Sequence, residues 1–360
     1  MYVKLSVTVA VLLAVLGGGC QKPVRPQAYQ PEMTAEQYRR QLPIKPVGQL
    51  TIGAWNLYYL GSPEQRDEPD VAKDVAAMAR YIADSQVDVL ALSEVNGDDS
   101  LRSPDLERII EHLGPQWQYR LFGQNIDLNE CTGVLWNTSR VSLAETVELP
   151  VDRDPPGWQQ FERQERPAEL PSRPERLHRR KVYAAHFTTG PGRTDFVVVP
   201  LHMRSSQGGF HRSRVQRYFE MATILDALPG LTFGRGEYDV ILIGDINSLG
   251  QSAESFVLSS GEVVSAPDYA TGWGDPAYFR QLGDDDDNTI LKRVPGTGWG
   301  NQAAPLDRAY VPRYELEFAA SQWHVHDDVR QYADNTRDFM NRLSDHLLVY
   351  TTIWIGEDDD

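Results

Sequence analysis

The sequence predicts an α/β sandwich, two packed sheets with helices against their outer faces. Three observations predict it. Short apolar runs of strand length outnumber the segments with helical spacing. Several neighbouring runs are joined by short turns, so strands pair locally. The stretch 45–356 is long enough for one large core, and its sheets need a second layer to bury their apolar faces. A hydrophobic share of 41% with 10% aromatics fits a globular domain.

The first residues read differently. Lys4 is the only charged residue before Cys20, Val7–Leu16 is almost unbroken apolar, and Gly17, Gly18 and Gly19 precede Cys20. A positive start, a short apolar core and small residues describe a secretory signal. A membrane span takes about 20 apolar residues, more than this segment offers. The cysteine after small residues resembles a bacterial lipoprotein signal, with Cys20 lipidated as the mature N-terminus. Leu16 stands four positions ahead of the cysteine, where such signals usually place a leucine three ahead. Residues 1–19 are therefore expected to be a leader. An extracytoplasmic protein anchored to a membrane by its lipid follows, with plain secretion as the alternative. Gln21 would direct it to the outer membrane in bacteria that sort lipoproteins. Residues 20–48, with Pro23, Pro26, Pro31, Pro43 and Pro46, read as a tether with a short helix around Ala35–Gln41.

From Gln49 the elements follow in order. Leu50–Leu57 is a strand candidate. Asp70–Ser85 has helical spacing, with Val71, Val75, Met78 and Ile82 on one face. Val87–Val95 is apolar on both faces and reads as a central strand. Leu106–Leu113 reads as a helix. Gly133–Trp136, Val141–Leu149, Val182–Thr188 and Phe196–His202 read as strands. Arg212–Leu228 is an amphipathic helix, and Asp239–Ile243 is a buried strand running into Gly244-Asp245. Arg308–Val311 and Leu347–Ile355 close a catalytic domain of 49–356, leaving 357–360 as an acidic tail. Two long segments, 150–181 and 265–305, show no period and are expected to be irregular, hence functional or disordered.

The formal charge of −16 argues against a broad basic footprint for nucleic acid. Part of the excess sits in Asp284–Asp287 and Glu357–Asp360, which read as a solvated loop and tail, or in the first case as a calcium site. Cys131 is the only thiol besides Cys20, so no disulfide within the mature chain is expected.

Polar residues recur at strand ends. Asn56, Glu94, His202, Asp245 and Asn247 end apolar runs, while Asp307, Asp345 and His346 begin them. Each alone suits a solvated loop residue, a core histidine or an Asx-turn. Six apolar strands delivering a carboxylate, amide or imidazole to a terminus point instead to one rim, with parallel placement gathering those ends. Hard oxygen donors suit Mg²⁺, Mn²⁺ or Ca²⁺, and no cysteine cluster competes.

The order Asn56, Glu94, His202, Gly244-Asp245-Ile246-Asn247, Asp307-Arg308 and Ser344-Asp345-His346 resembles the endonuclease/exonuclease/phosphatase superfamily. Gly-Asp-x-Asn alone is weakly specific; the ordered set, with Ser-Asp-His before the last strand, is strongly so. The resemblance spans Gln49 to Ile355. It implies a four-layered, DNase I-like sandwich of mainly antiparallel sheets with the site at one edge. Glu94 would hold the metal, with Asn56 and Asp345 nearby. Asp245 would orient or deprotonate the attacking water, and Asn247 would hold the phosphate. His346, kept by Asp307, would donate to the phosphate, and His202 would be the acid for the leaving oxygen. Glu130 stands where secreted DNases pair a glutamate with this second histidine; an ordinary surface carboxylate is the alternative. Arg180, Lys181 and Arg204 are candidate phosphate contacts, the first two equally readable as the end of a basic stretch.

Departures bear on substrate. Pro200 stands where many members have Asn, and Arg179-Arg180-Lys181 replaces Arg-x-Pro. The surroundings of Asp245 and Asp307 match the inositol-polyphosphate phosphatases only in part. Trp273, Tyr278, Phe279 and Trp299 sit among Asp and Gly, unlike the apolar hairpin of sphingomyelinases. The segment 150–181 carries eight basic residues with Trp158 and Phe161, which would suit phosphates and bases. Its acidic residues equally suit a mixed-charge surface loop. A DNase-like endonuclease with nucleic acid as substrate is the leading expectation, with no protein partner implied. A lipid or inositol phosphodiesterase or phosphatase, and a catalytically dead binding protein on the same scaffold, are the alternatives.

Overall fold

The computed structural model describes residues 48–356 apart from 125–129, 152–157, 160–176, 179, 206–209, 232–238, 249–255, 258–262, 265–278, 285, 292–303 and 314. The leader with Cys20, the tether, the acidic tail, most of the arginine-rich segment, and Trp273, Tyr278 and Trp299 lie outside the described residues.

Two six-stranded sheets form the fold. One runs β13 (His324–His326), β14 (Leu348–Trp354), β1 (Gln49–Leu60), β2 (Val89–Asn96), β4 (Glu130–Asn137) and β3 (Trp117–Gln124). The other runs β11 (Phe279–Leu282), β12 (Asp307–Pro312), β8 (Val240–Asp245), β7 (Asp195–His202), β6 (Tyr183–Thr188) and β5 (Ser142–Glu148). A two-stranded ribbon joins β9 (Phe256–Val257) to β10 (Val263–Val264). Among the described residues the longer helices are α1 (Val75–Ser85), α2 (Pro104–Leu113), α3 (Phe210–Ala227) and α4 (Thr336–Arg342).

Alternation along the strands builds the layers, because successive side chains point to opposite faces. In β2, Val89 and Ala91 enter the core between the sheets, while Leu90 and Leu92 meet the outer cluster with Met78, Ile82, Leu106 and Ile109 of α1 and α2. In β8, Ile241 and Ile243 point inward, while Val240 and Leu242 pack outward with Met221, Ile224 and Leu225 of α3. Helix, sheet, sheet and helix are thus the four expected layers.

Each sheet is mixed. Among the described residues, only β1 with β2 and β7 with β8 pair in parallel; the other neighbours are antiparallel. The rim therefore gathers the ends of β1, β2, β7 and β8 with the beginnings of β4, β12 and β14, so parallel placement accounts for only part of the convergence. The strand from Val87 to Val95 is central, as expected, between β1 and β4.

Several elements depart from expectation. The helix expected from Asp70 starts at Val75, because the Asp74 carboxylate accepts from the Ala77 amide at 2.9 Å and fixes the first turn. The edge strand β3 was not predicted, although Trp117, Tyr119 and Leu121 alternate onto the outer core. The segment expected to be irregular contains β11 and a bridge from Ile290 to His346. Sequence periodicity did not reveal β13 or α4 either; three and seven residues are too few to show one.

Candidate active site

The inward positions that hold apolar side chains deep in the sandwich carry polar ones at its rim. Counting by twos along β8, Ile241 and Ile243 lead to Asp245; along β7, Val198 leads to His202; along β4, Trp136 and Val134 lead back to Glu130. Register then aligns the strands. His202 pairs with Asp245 and Asp245 with Asp307, so three adjacent strands present their chemistry on one rung.

The opposite sheet answers with Asn56 and Glu94. Asn56 donates through Nδ2 to Glu94 Oε1 at 2.9 Å and to Asp245 Oδ2 at 3.1 Å, tying the two sheets together. Its Oδ1 accepts from the Tyr58 amide at 3.0 Å. Glu94 sits at a register shift in β2 with φ of 55°, in the left-handed region. That backbone state is costly for a non-glycine residue and recurs at functional sites.

Asp245 is flanked by two imidazoles. Their Nε2 atoms lie 3.7 Å (His202) and 3.8 Å (His346) from its Oδ2. On the far side of each ring a carboxylate faces Nδ1: Asp307 Oδ2 at 2.9 Å from His346, and Glu130 Oε1 at 3.0 Å from His202. The first is an aligned hydrogen bond; the second is a close contact off the line of one. Burial alone would lower the His346 pKa. The charges of Asp307 and Asp245 outweigh it and hold the imidazole well above its usual value. Ser344 locks the approach, donating to the Asn56 carbonyl at 2.6 Å and accepting from the His346 amide at 3.0 Å. Trp55 Nε1 donates to the His346 carbonyl at 2.9 Å. Asn247, at φ 57°, donates its backbone N–H to Asp245 Oδ1 at 2.9 Å and its Nδ2 to the Met203 carbonyl at 3.0 Å.

Glu94, His202 and Asp245 bring one ligand atom each within 4.8 Å of one another, the described group able to hold a cation. Burial pushes the Glu94 carboxyl up to about 7. The charge of His202 and the Asn56 hydrogen bond lower it, and the carboxylates Glu130 and Asp345 raise it further. A buried carboxylate cluster of this kind is relieved by a hard divalent ion. The expected set was Glu94 with Asn56 and Asp345 nearby, and both lie beside Glu94. Asn56 offers its nitrogen to both carboxylates, and the buried Asp345 acts on Glu94 through its charge.

The basic candidates separate. Arg180 Nη2 donates to both Glu130 oxygens at 3.0 Å, and Nη1 to the His202 carbonyl at 3.2 Å, so Arg180 braces the second dyad. Lys181 is paired with Glu148 at 2.9 Å. The Arg204 amide donates to the buried Glu220 of α3 at 3.1 Å. Trp158, a candidate base-stacking residue, is instead 1% exposed and packs edge-on to Phe219 at 5.9 Å. Sequence reasoning missed two neighbours of the site. Lys73 donates to the Leu343 carbonyl at 2.6 Å, with burial and then Arg66 lowering its pKa to about 7. Tyr59 stands within the field of four site charges. The tandem Tyr58-Tyr59 just after Asn56 was the available signal.

Residues 53–346 match the profile of the Endonuclease/Exonuclease/phosphatase family. No curated protein matches the chain. Among solved structures, the endonuclease/exonuclease/phosphatase from Bacteroides vulgatus is similar at 12% identity and a TM-score of 0.53, over 86% of this chain and 99% of that one. Truncated TDP2 of Caenorhabditis elegans is 14% identical, with a TM-score of 0.50 over 85% and 98%. The mannosyl-6-phosphatase of Bacteroides thetaiotaomicron is 16% identical, with a TM-score of 0.50 over 85% and 99%. At these identities the likeness concerns the fold.

Proposed function

The chain belongs to the endonuclease/exonuclease/phosphatase family, and from that premise we propose that it is a divalent-metal-dependent phosphodiesterase, a DNase-like endonuclease acting outside the cytoplasm. Family membership supports the coarser statement, a phosphoesterase-type hydrolase. The observation that carries the finer reading is the pair of histidine–carboxylate dyads facing one carboxylate, Asp245.

Glu94 would hold the cation with Asp245 and His202 beside it, Asp345 adding charge; when bound, the cation neutralises negative charge on the phosphoryl oxygens. Asp245 receives the proton of the attacking water and aims it at phosphorus. Asn247 keeps the phosphoryl group in line. His346 stays protonated through Asp307 and donates to a phosphoryl oxygen. His202 gives a proton to the departing ester oxygen as the P–O bond breaks. Attachment to a membrane through a lipid on Cys20 belongs to the same proposal.

A second reading, a lipid, inositol or sugar phosphoester hydrolase, draws support from three observations: the charge of −16, the engagement of Arg180 with Glu130, and the burial of Trp158. All three thin out the contacts a nucleic acid would use. Supercoiled plasmid incubated with the chain and Mg²⁺ or Ca²⁺ separates the two. Nicking that is abolished by EDTA and by a combined Asp245→Ala, His346→Ala variant supports the endonuclease. Intact plasmid together with metal-dependent release of phosphocholine or phosphate from a panel of phosphoesters selects the second reading. Inactivity throughout leaves a binding protein on this scaffold.

A further inference from the structure

Tyr59 lies where β1 leaves its ladder. β1 pairs with β2 at Asn56 with Ser93 and again at Leu60 with Val95, so the intervening residues bulge beside Glu94. Tyr58 and Tyr59 hold φ values of 47° and 55°. Two successive non-glycine residues in the left-handed region are strained, and such strain persists only where the surroundings enforce it. The two side chains are used differently. Tyr58 is buried, accepts from the Asp67 amide at 3.0 Å, and lies under the Lys73 ammonium at 4.9 Å. Tyr59 is only half-buried, its ring 5.7 Å from that of Tyr58. Its hydroxyl makes no hydrogen bond to a described residue, yet it feels the charges of Glu94, Glu130, Arg180 and Asp345. The bulge thus spends backbone strain to set the half-buried Tyr59 beside the segment of β2 that carries Glu94.

We propose that Tyr59 contacts the substrate, its hydroxyl donating a hydrogen bond to a non-bridging oxygen of the phosphoryl group held at Glu94, His202 and Asp245. The inference rests on the phosphoester reading of this site. Burial, and then the neighbouring carboxylates, push the phenol pKa upward, so the group remains a donor across the working pH range.

The test compares the native chain with Tyr59→Phe, which keeps the ring and removes one oxygen. Inorganic phosphate is titrated calorimetrically in saturating Mg²⁺, Mg²⁺ is titrated alone, and hydrolysis of bis(4-nitrophenyl) phosphate is followed in parallel. The expected result is phosphate binding weakened about tenfold, the size of one hydrogen bond to a charged oxygen, with Mg²⁺ affinity and melting temperature unchanged. Equal phosphate binding by both proteins overturns the inference. So does a fall in Mg²⁺ affinity or melting temperature, because the hydroxyl would then serve the fold or the metal. Absence of phosphate binding by the native chain overturns it as well. A native chain that hydrolyses no phosphoester but binds phosphate through Tyr59 sinks the catalytic reading and leaves this inference standing. An active enzyme indifferent to Tyr59→Phe does the reverse.

Discussion

At the scale of single residues the site works by setting charge. The folded-state pKa of His346 is raised, so its contribution to stability is fully present below the unfolded value near 6.5 and is lost as pH rises through the folded value. Asp307→Asn removes the main partner. It should lower the His346 pKa in an NMR titration, destabilise the protein more at pH 6 than at pH 9, and cut kcat about 10²–10⁴-fold. Glu94 obeys the same sign from the other charge type. Its carboxyl rises from 4.5 to about 7, so the metal-free fold loses stability as pH climbs through that window. Protons and cation compete for the same oxygens. The rise in melting temperature on adding Mg²⁺ should therefore be small at pH 5.5 and large at pH 8. Glu94→Gln should abolish it, and a constant Mg²⁺ effect across that range would contradict the assignment.

At the scale of elements, exact register decides whether the rung forms. Gly244 has φ of 148°, and a Cβ there would meet the Leu201 carbonyl oxygen at 2.1 Å. Gly244→Ala must push β8 away from β7 one residue before Asp245. A loss of about 1–3 kcal/mol in denaturant melts is expected from the backbone strain alone, together with loss of activity. The N-cap Asp74 makes a contrasting case. It caps α1 through Ala77 and pairs with Arg342. Asp74→Ala should cost about 1 kcal/mol of stability while kcat stays within about twofold, since α1 lies on the outer face of its sheet.

At the scale of the molecule, a formal charge of −16 disfavours polyanions. The log of KM for DNA against log salt should be shallow. Between 50 and 200 mM salt, KM should rise no more than about fourfold, the slope of a single phosphate contact. A steep dependence would mean that the basic segment 150–181 binds the backbone. The same scale governs what could be read from sequence. The central strands were legible as short unbroken apolar runs, because both faces of each are buried, as in Val240–Asp245. The site was legible as an ordered set of polar residues closing apolar runs. Periodicity missed β11, β13 and α4 because they are short, and β3 because its alternation lies at a sheet edge.

The sequence by itself determined the sandwich, its central strands, and a set of polar residues at strand ends, Asn56, Glu94, His202, Asp245, Asp307 and His346, while Glu130 entered only through the family resemblance. Only the tertiary structure decided their grouping: Glu94 with His202 and Asp245, Arg180 on Glu130, Trp158 in the core, Tyr59 on the bulge beside Glu94. The physical reason is that pairing register between strands distant in sequence, and the bulges that break it, arise from contacts no local pattern contains.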